Sequence, residues 1–92
     1  MSKARAEVIV HGRVQGVFFR QSTVEMARAL RLTGQVRNCS DGTVAAIFEG
    51  DRDKLKKAVE WCHQGPPAAR VDTVEADWQD YLGEFDCFEI GY

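Results

Sequence analysis

The segment Gly12-Arg13-Val14-Gln15-Gly16-Val17-Phe18-Phe19-Arg20 holds the residue types most able to do chemistry. It joins a stretch of two-residue alternation to one of helical spacing, so it reads as a strand-to-helix loop. Its glycines can take backbone conformations closed to other residues, which lets consecutive N–H groups turn inward as a nest for an anion. The loop then enters a helix amino terminus, where unpaired N–H groups and the helix dipole also favour negative charge. Arg20 at that position is a misplaced cation unless an anion lies between it and the dipole. Charge patterning agrees: from Val8 to Val24 there is no Asp or Glu, although the chain has 14 of them, while His11, Arg13 and Arg20 all fall in that window. A phosphate group suits such a loop, and a plain glycine turn with a surface Arg is the bland alternative. Neither the Walker spacing nor Gly-x-Gly-x-x-Gly is present, so nucleotide binding loses its main support.

The elements that must position this loop follow from periodicity. Residues 5–12 alternate as a strand, with Ala6, Val8 and Val10 on one face and Gly12 ending it. A helix is predicted from Arg20 to Leu32, with Phe19, Thr23, Ala27 and Leu30 on one face and Gly34 stopping it. Strands over Gln35–Asn38 and Thr43–Phe48 flank Asp41-Gly42, a hairpin turn step, with Val44, Ala46 and Phe48 sharing a face. A second helix starts at an Asp51 N-cap, carries Leu55, Ala58, Val59 and Cys62 at helical spacing, and ends at Gly65-Pro66-Pro67. Residues 70–79 read as a strand with a bulge near Asp72 or Thr73, and Phe88, Ile90 and Tyr92 suggest a last short strand. The order β-α-β-β-α-β plus a short C-terminal strand is that of an α+β, ferredoxin-like two-layer sandwich. Two helices then cover one face of an antiparallel sheet. Residues 1–92 read as a single domain, and many unrelated activities use this architecture.

Composition narrows the class. Hydrophobic residues at 45% and charged residues at 28% fit an ordinary globular chain. The apolar runs are too short for a signal peptide or membrane helix, so a cytoplasmic location is expected and a membrane partner is not. Net charge of −2 offers no general attraction to nucleic acid. Cys39, Cys62 and Cys87 are widely spaced without a Cys-x-x-Cys pair, and His11 and His63 lack ligand spacing, so neither a disulfide framework nor a metal site is expected.

Gly12 to Arg20 resembles the acylphosphatase signature Gly-[Arg/Lys]-Val-Gln-Gly-Val-x-[Phe/Tyr]-Arg. Gly34-Gln35-Val36-Arg37-Asn38 with Asp41-Gly42-Thr43-Val44 is similar to the second signature of that family, and Gly65 to Val71 and Phe88-Glu89-Ile90 also resemble it. The resemblance implies that the amides of Gln15, Gly16, Val17, Phe18, Phe19 and Arg20, with the Arg20 guanidinium, hold a phosphoryl group. It implies that Asn38 orients the attacking water, and that Gly12 and Thr43 support this arrangement from behind. The implied substrate is a small-molecule acyl phosphate and the product inorganic phosphate, with no cofactor, no metal and a monomeric protein. The chemistry is self-consistent, because a departing carboxylate, with a conjugate acid of pKa about 4, needs no proton donor.

Two positions depart from common family usage: Gln35 replaces an aromatic residue, and Gly91 replaces an Arg after the final Ile. Gln35 is expected to alter packing or contacts with the acyl group. A non-catalytic phosphate sensor and a ferredoxin-like interaction module are the rival functions, although the segment Thr43 to Gly50 lacks the Arg/Lys-Gly-Phe-Gly-Phe type run of RNA-recognition sheets. Asn38 read without the resemblance is an ordinary turn residue.

Overall fold

The computed structural model describes residues 2–91. Seven elements follow one another: β1 (Lys3–Arg13), α1 (Phe19–Ala29), β2 (Thr33–Asn38), β3 (Val44–Asp51), α2 (Arg52–Gln64), β4 (Arg70–Gln79) and β5 (Phe88–Ile90). The sheet order is β4-β1-β3-β2-β5. Both helices lie on one face of this sheet, the two-layer ferredoxin-like sandwich that the element order predicts. The sheet is mixed rather than wholly antiparallel, since β5 runs parallel to β2, Gly34 facing Phe88 and Val36 facing Ile90. Tyr92, expected in this last strand, lies outside the described residues.

Alternation along β1 sends Ala4, Ala6, Val8 and Val10 into the core, opposite Phe48, Ala46 and Val44 of β3. Helix α1 contributes Phe19, Thr23 and Ala27, and α2 contributes Leu55, Ala58 and Cys62. Phe48 stacks on Phe88 with ring centroids 5.3 Å apart, which fastens β5 to the sheet. The Asp51 carboxylate accepts from the Asp53 amide and caps α2 as expected. The bulge is where the broken alternation put it: His11 faces Thr73 but Gly12 faces Val71, leaving Asp72 as the extra residue.

Helix α1 ends three residues before the predicted Leu32, and Gly34 is not its stop. Arg31 takes the left-handed turn instead, with φ 59°, and the Leu32 amide closes back on the Ala27 carbonyl at 2.9 Å. Gly34 belongs to β2, where an added Cβ would stand 1.8 Å from the Ile47 carbonyl oxygen.

Candidate active site

The loop between β1 and α1 is held from beneath by its own apolar side chains. Val14, Val17 and Phe19 are buried, and Phe19 packs edge-on against Trp61 of α2 with centroids 5.5 Å apart. With those side chains turned inward, the main chain between them is left at the surface. Gly16 (φ 74°) and Phe18 (φ 64°) both have left-handed backbone, and Phe19 opens the helix. Left-handed residues next to helical ones are the conformation of an anion nest. No side chain caps α1 and no acidic residue occupies its first turn, so its leading amides remain available.

Gly12 starts this loop from the bulge. Its φ is 132°, and a Cβ there would stand 2.1 Å from the Arg70 carbonyl oxygen and 2.8 Å from the Asp72 amide nitrogen. Only glycine lets β4 come this close. Just beyond, the loop is tied to the β2–β3 hairpin by the Gln15 side chain, whose Nε2 donates to the carbonyls of Cys39 (2.7 Å) and Thr43 (2.9 Å). The hairpin is braced in turn, because the Thr43 hydroxyl and amide both donate to Asp41 Oδ1, at 2.6 and 3.0 Å. The hydroxyl bond, then the amide bond, hold the Asp41 carboxyl below its ordinary value.

A concavity of about 280 Å³ opens over the loop, and Gly16, Phe18, Phe19, Arg20 and Asn38 line it together with Val14 and Ile90. Arg20 at the first turn of α1 and Asn38 at the end of β2 thus face one space. The ion pairs among the described residues involve Arg5, His11 and Arg70, and none engages Arg20. Gln15 and Val17 are not among the residues lining the concavity: Val17 is buried under the loop and the Gln15 side chain is turned to the hairpin. Gly12 and Thr43 do not line the concavity either; Gly12 lies against β4, and the Thr43 carbonyl accepts from Gln15. Gln35 does not line this space; its carbonyl Oε1 would lie 2.8 Å from a Cβ at Gly91, so the two departures from common family usage are neighbours. The side-chain tie from Gln15 was not legible in sequence, where a loop Gln carries no local signal of the partner it will find. Among the described residues no three His, Cys, Asp or Glu side chains are grouped to hold a metal ion, and no helix is long and apolar enough to cross a membrane.

The fold and the loop together define a ferredoxin-like sandwich whose strand-to-helix turn leads into an uncapped helix start. A family model described as acylphosphatase matches residues 6–90. An acylphosphatase of Pelotomaculum thermopropionicum is 56% identical over 92 residues, covering the whole of both chains. The structure of an acylphosphatase from Coxiella burnetii superposes with a TM-score of 0.92 at 37% identity, covering 98% of this chain and 94% of that one. That of a Bacillus subtilis acylphosphatase gives 0.93 at 34% identity, covering 97% and 99%. The chain belongs to the acylphosphatase family and is a hydrolase of that kind.

Proposed function

We propose that this protein hydrolyses the carboxyl–phosphate bond of small acyl phosphates by direct attack of water. The main chain between Gln15 and Arg20 and the Arg20 guanidinium hold the phosphoryl oxygens, and the Asn38 side chain aligns the water. The water oxygen bonds to phosphorus as the bond from phosphorus to the acyl oxygen breaks. That bond's electron pair leaves with the carboxylate, and the water's proton passes to the phosphate. Stabilising the charge on the phosphoryl oxygens and fixing the line of attack are what such a transition state needs from a protein. The observation that carries this reading is the shared concavity: an uncapped helix start, an Arg with no carboxylate partner among the described residues and an Asn at a strand end line one space. Gly12 and Thr43 act by holding the loop and the hairpin in place.

Loss of benzoyl phosphate, followed by ultraviolet absorbance in EDTA, tests this with wild type, Arg20→Ala and Asn38→Ala, each first shown to fold. Either substitution is expected to raise the barrier by about 3 kcal/mol or more, the scale for removing one preorganised transition-state group. A folded wild type that shows no turnover above buffer overturns the reading. A monomeric state and a cytoplasmic location belong to the same proposal, and light scattering checks the first.

A further inference from the structure

Phe18 is held in a conformation that its side chain disfavours. Its backbone is left-handed, with φ 64° and ψ 23°, where a bulky residue is an outlier. Two residues earlier the loop takes a similar φ of 74° with Gly16, where an added Cβ would meet nothing within 4 Å. Glycine stands at 16 for its conformational freedom and not for lack of space. A glycine at 18 would serve the nest equally well with less strain, so the ring needs a reason of its own.

Packing within the chain does not supply that reason. Phe18 is 77% exposed, whereas its neighbour Phe19 is 2% exposed and packs on Trp61. Phe18 nevertheless lines the concavity that Arg20 and Asn38 share, and its exposure places it at the rim. With the phosphoryl group fixed at the nest, the rest of the substrate must leave across this rim. The neighbouring groove, which shares Gln21 and Ile90 with the concavity, carries the charges of Glu25, Arg28 and Glu89 and suits an apolar group poorly.

We infer that the Phe18 ring is a specificity-determining contact for the acyl group, a platform that favours aromatic and other flat apolar acyl phosphates over small ones such as acetyl phosphate. The inference rests on the acyl phosphate reading above. An aryl group laid against the ring removes apolar surface of both from water and gains the offset or edge-on contact that aromatic pairs prefer.

The test is the ratio of kcat/KM for benzoyl phosphate to that for acetyl phosphate, measured for wild type, Phe18→Gly and Phe18→Tyr with folding checked by circular dichroism. Both substrates present the same phosphoryl group and release a carboxylate, so changes in the nest largely cancel in the ratio. In Phe18→Gly the ratio is expected to fall about five- to tenfold, the size of one aromatic contact. The fall should come mainly through KM for benzoyl phosphate, because the ring touches a part of the substrate that does not react. Phe18→Tyr should keep the wild-type ratio. A ratio unchanged in Phe18→Gly, or one that falls equally in Phe18→Tyr, overturns the inference while leaving the hydrolase reading intact. Failure of the wild type on both substrates overturns the acyl phosphate reading and the inference with it.

Discussion

Replacing Glu49 with Gln should unsettle the fold while sparing the chemistry. Glu49 sits on the sheet face away from the helices and is nevertheless fully buried, at 0% exposure. The irregular segment after β4 wraps over it, and its carboxylate accepts from the amides of Leu82 (2.8 Å), Gly83 (3.2 Å) and Glu84 (3.2 Å), with Arg5 Nη1 at 3.4 Å. Arg5 also pairs with Glu84 and Glu7. Burial by itself would push the Glu49 carboxyl up, but the three amides and Arg5 outweigh it and hold the group below its ordinary value.

Gln keeps the shape but turns an NH₂ toward N–H donors, so at least one of these amides loses its acceptor, the buried NH₂ lacks one of its own, and the charge-assisted bonds become neutral ones. Such changes cost about 1–3 kcal/mol each, and we expect a total of about 3 kcal/mol. For a domain of this size that is a fall in Tm of about 12–24 °C. The pH dependence has a definite sign. A carboxyl with a depressed folded-state pKa contributes stability that is fully present above its unfolded value of about 4.3 and is lost as pH falls through the folded value. The gap between wild type and Glu49→Gln should therefore be wide at pH 7 and close in acid below about pH 4. Urea melts followed by circular dichroism across this range measure it. Turnover per folded molecule should be unchanged, because Glu49 pairs with Arg5 and Thr33, at the opposite ends of β1 and β2 from Arg13 and Asn38. A Glu49→Gln protein within about 1 kcal/mol of wild type at pH 7, or a gap that stays constant into acid, would refute the reasoning.

Gly12→Ala is expected to cost about 3 kcal/mol or more, since its Cβ cannot stand 2.1 Å from the Arg70 carbonyl oxygen and β4 must move; an unchanged urea midpoint would contradict this. Gln15→Leu should lower kcat/KM by about 10- to 100-fold through a misplaced loop while costing only about 1 kcal/mol of stability. Stability suffers little there because the Cys39 and Thr43 carbonyls keep their backbone donors, Gly42 and Cys39. Paired kinetics and melts separate the two effects. Burial pushes the Cys62 thiol up to about 12, whereas Cys39 is half-buried and Cys87 exposed. A thiol reagent at pH 8 should label those two in the native protein and Cys62 only after unfolding.

Legibility in the sequence followed the range of the interactions. Helix α2 could be bounded at both ends because the Asp51 cap and the Gly65 turn are local devices. The end of α1 could not, since Gly34 advertised a stop while Arg31 took the left-handed turn and Gly34 served a close approach to β3. The bulge at Asp72 was readable from broken alternation, but the partner that makes it matter, Gly12, was not. Arg20 and Asn38 stood out through the loop's charge pattern and the family resemblance. The Gln15 tie remained hidden because it depends on a hairpin some two dozen residues later coming alongside. Glu49 lay just past the predicted end of its strand at Phe48, and nothing near it in sequence announces the cover over it. Gln35 and Gly91 were noticed as two separate departures; their contact joins them into one, the Gln35 side chain occupying the space beside residue 91.

The interior placement of β1 also governs how the molecule comes together in time. Arg5 finds Glu49 on one side and Gln79 on the other, so this interior strand receives both partners from distant parts of the chain. Chains dominated by such non-local pairings fold in about milliseconds to seconds rather than microseconds. The nest needs β4 docked against Gly12 and the hairpin against Gln15, so it cannot exist before those pairings do. Activity regained on refolding therefore reports the completed sheet, and until then Val8 and Val10 are exposed on an unpaired strand, the interval in which aggregation competes with folding.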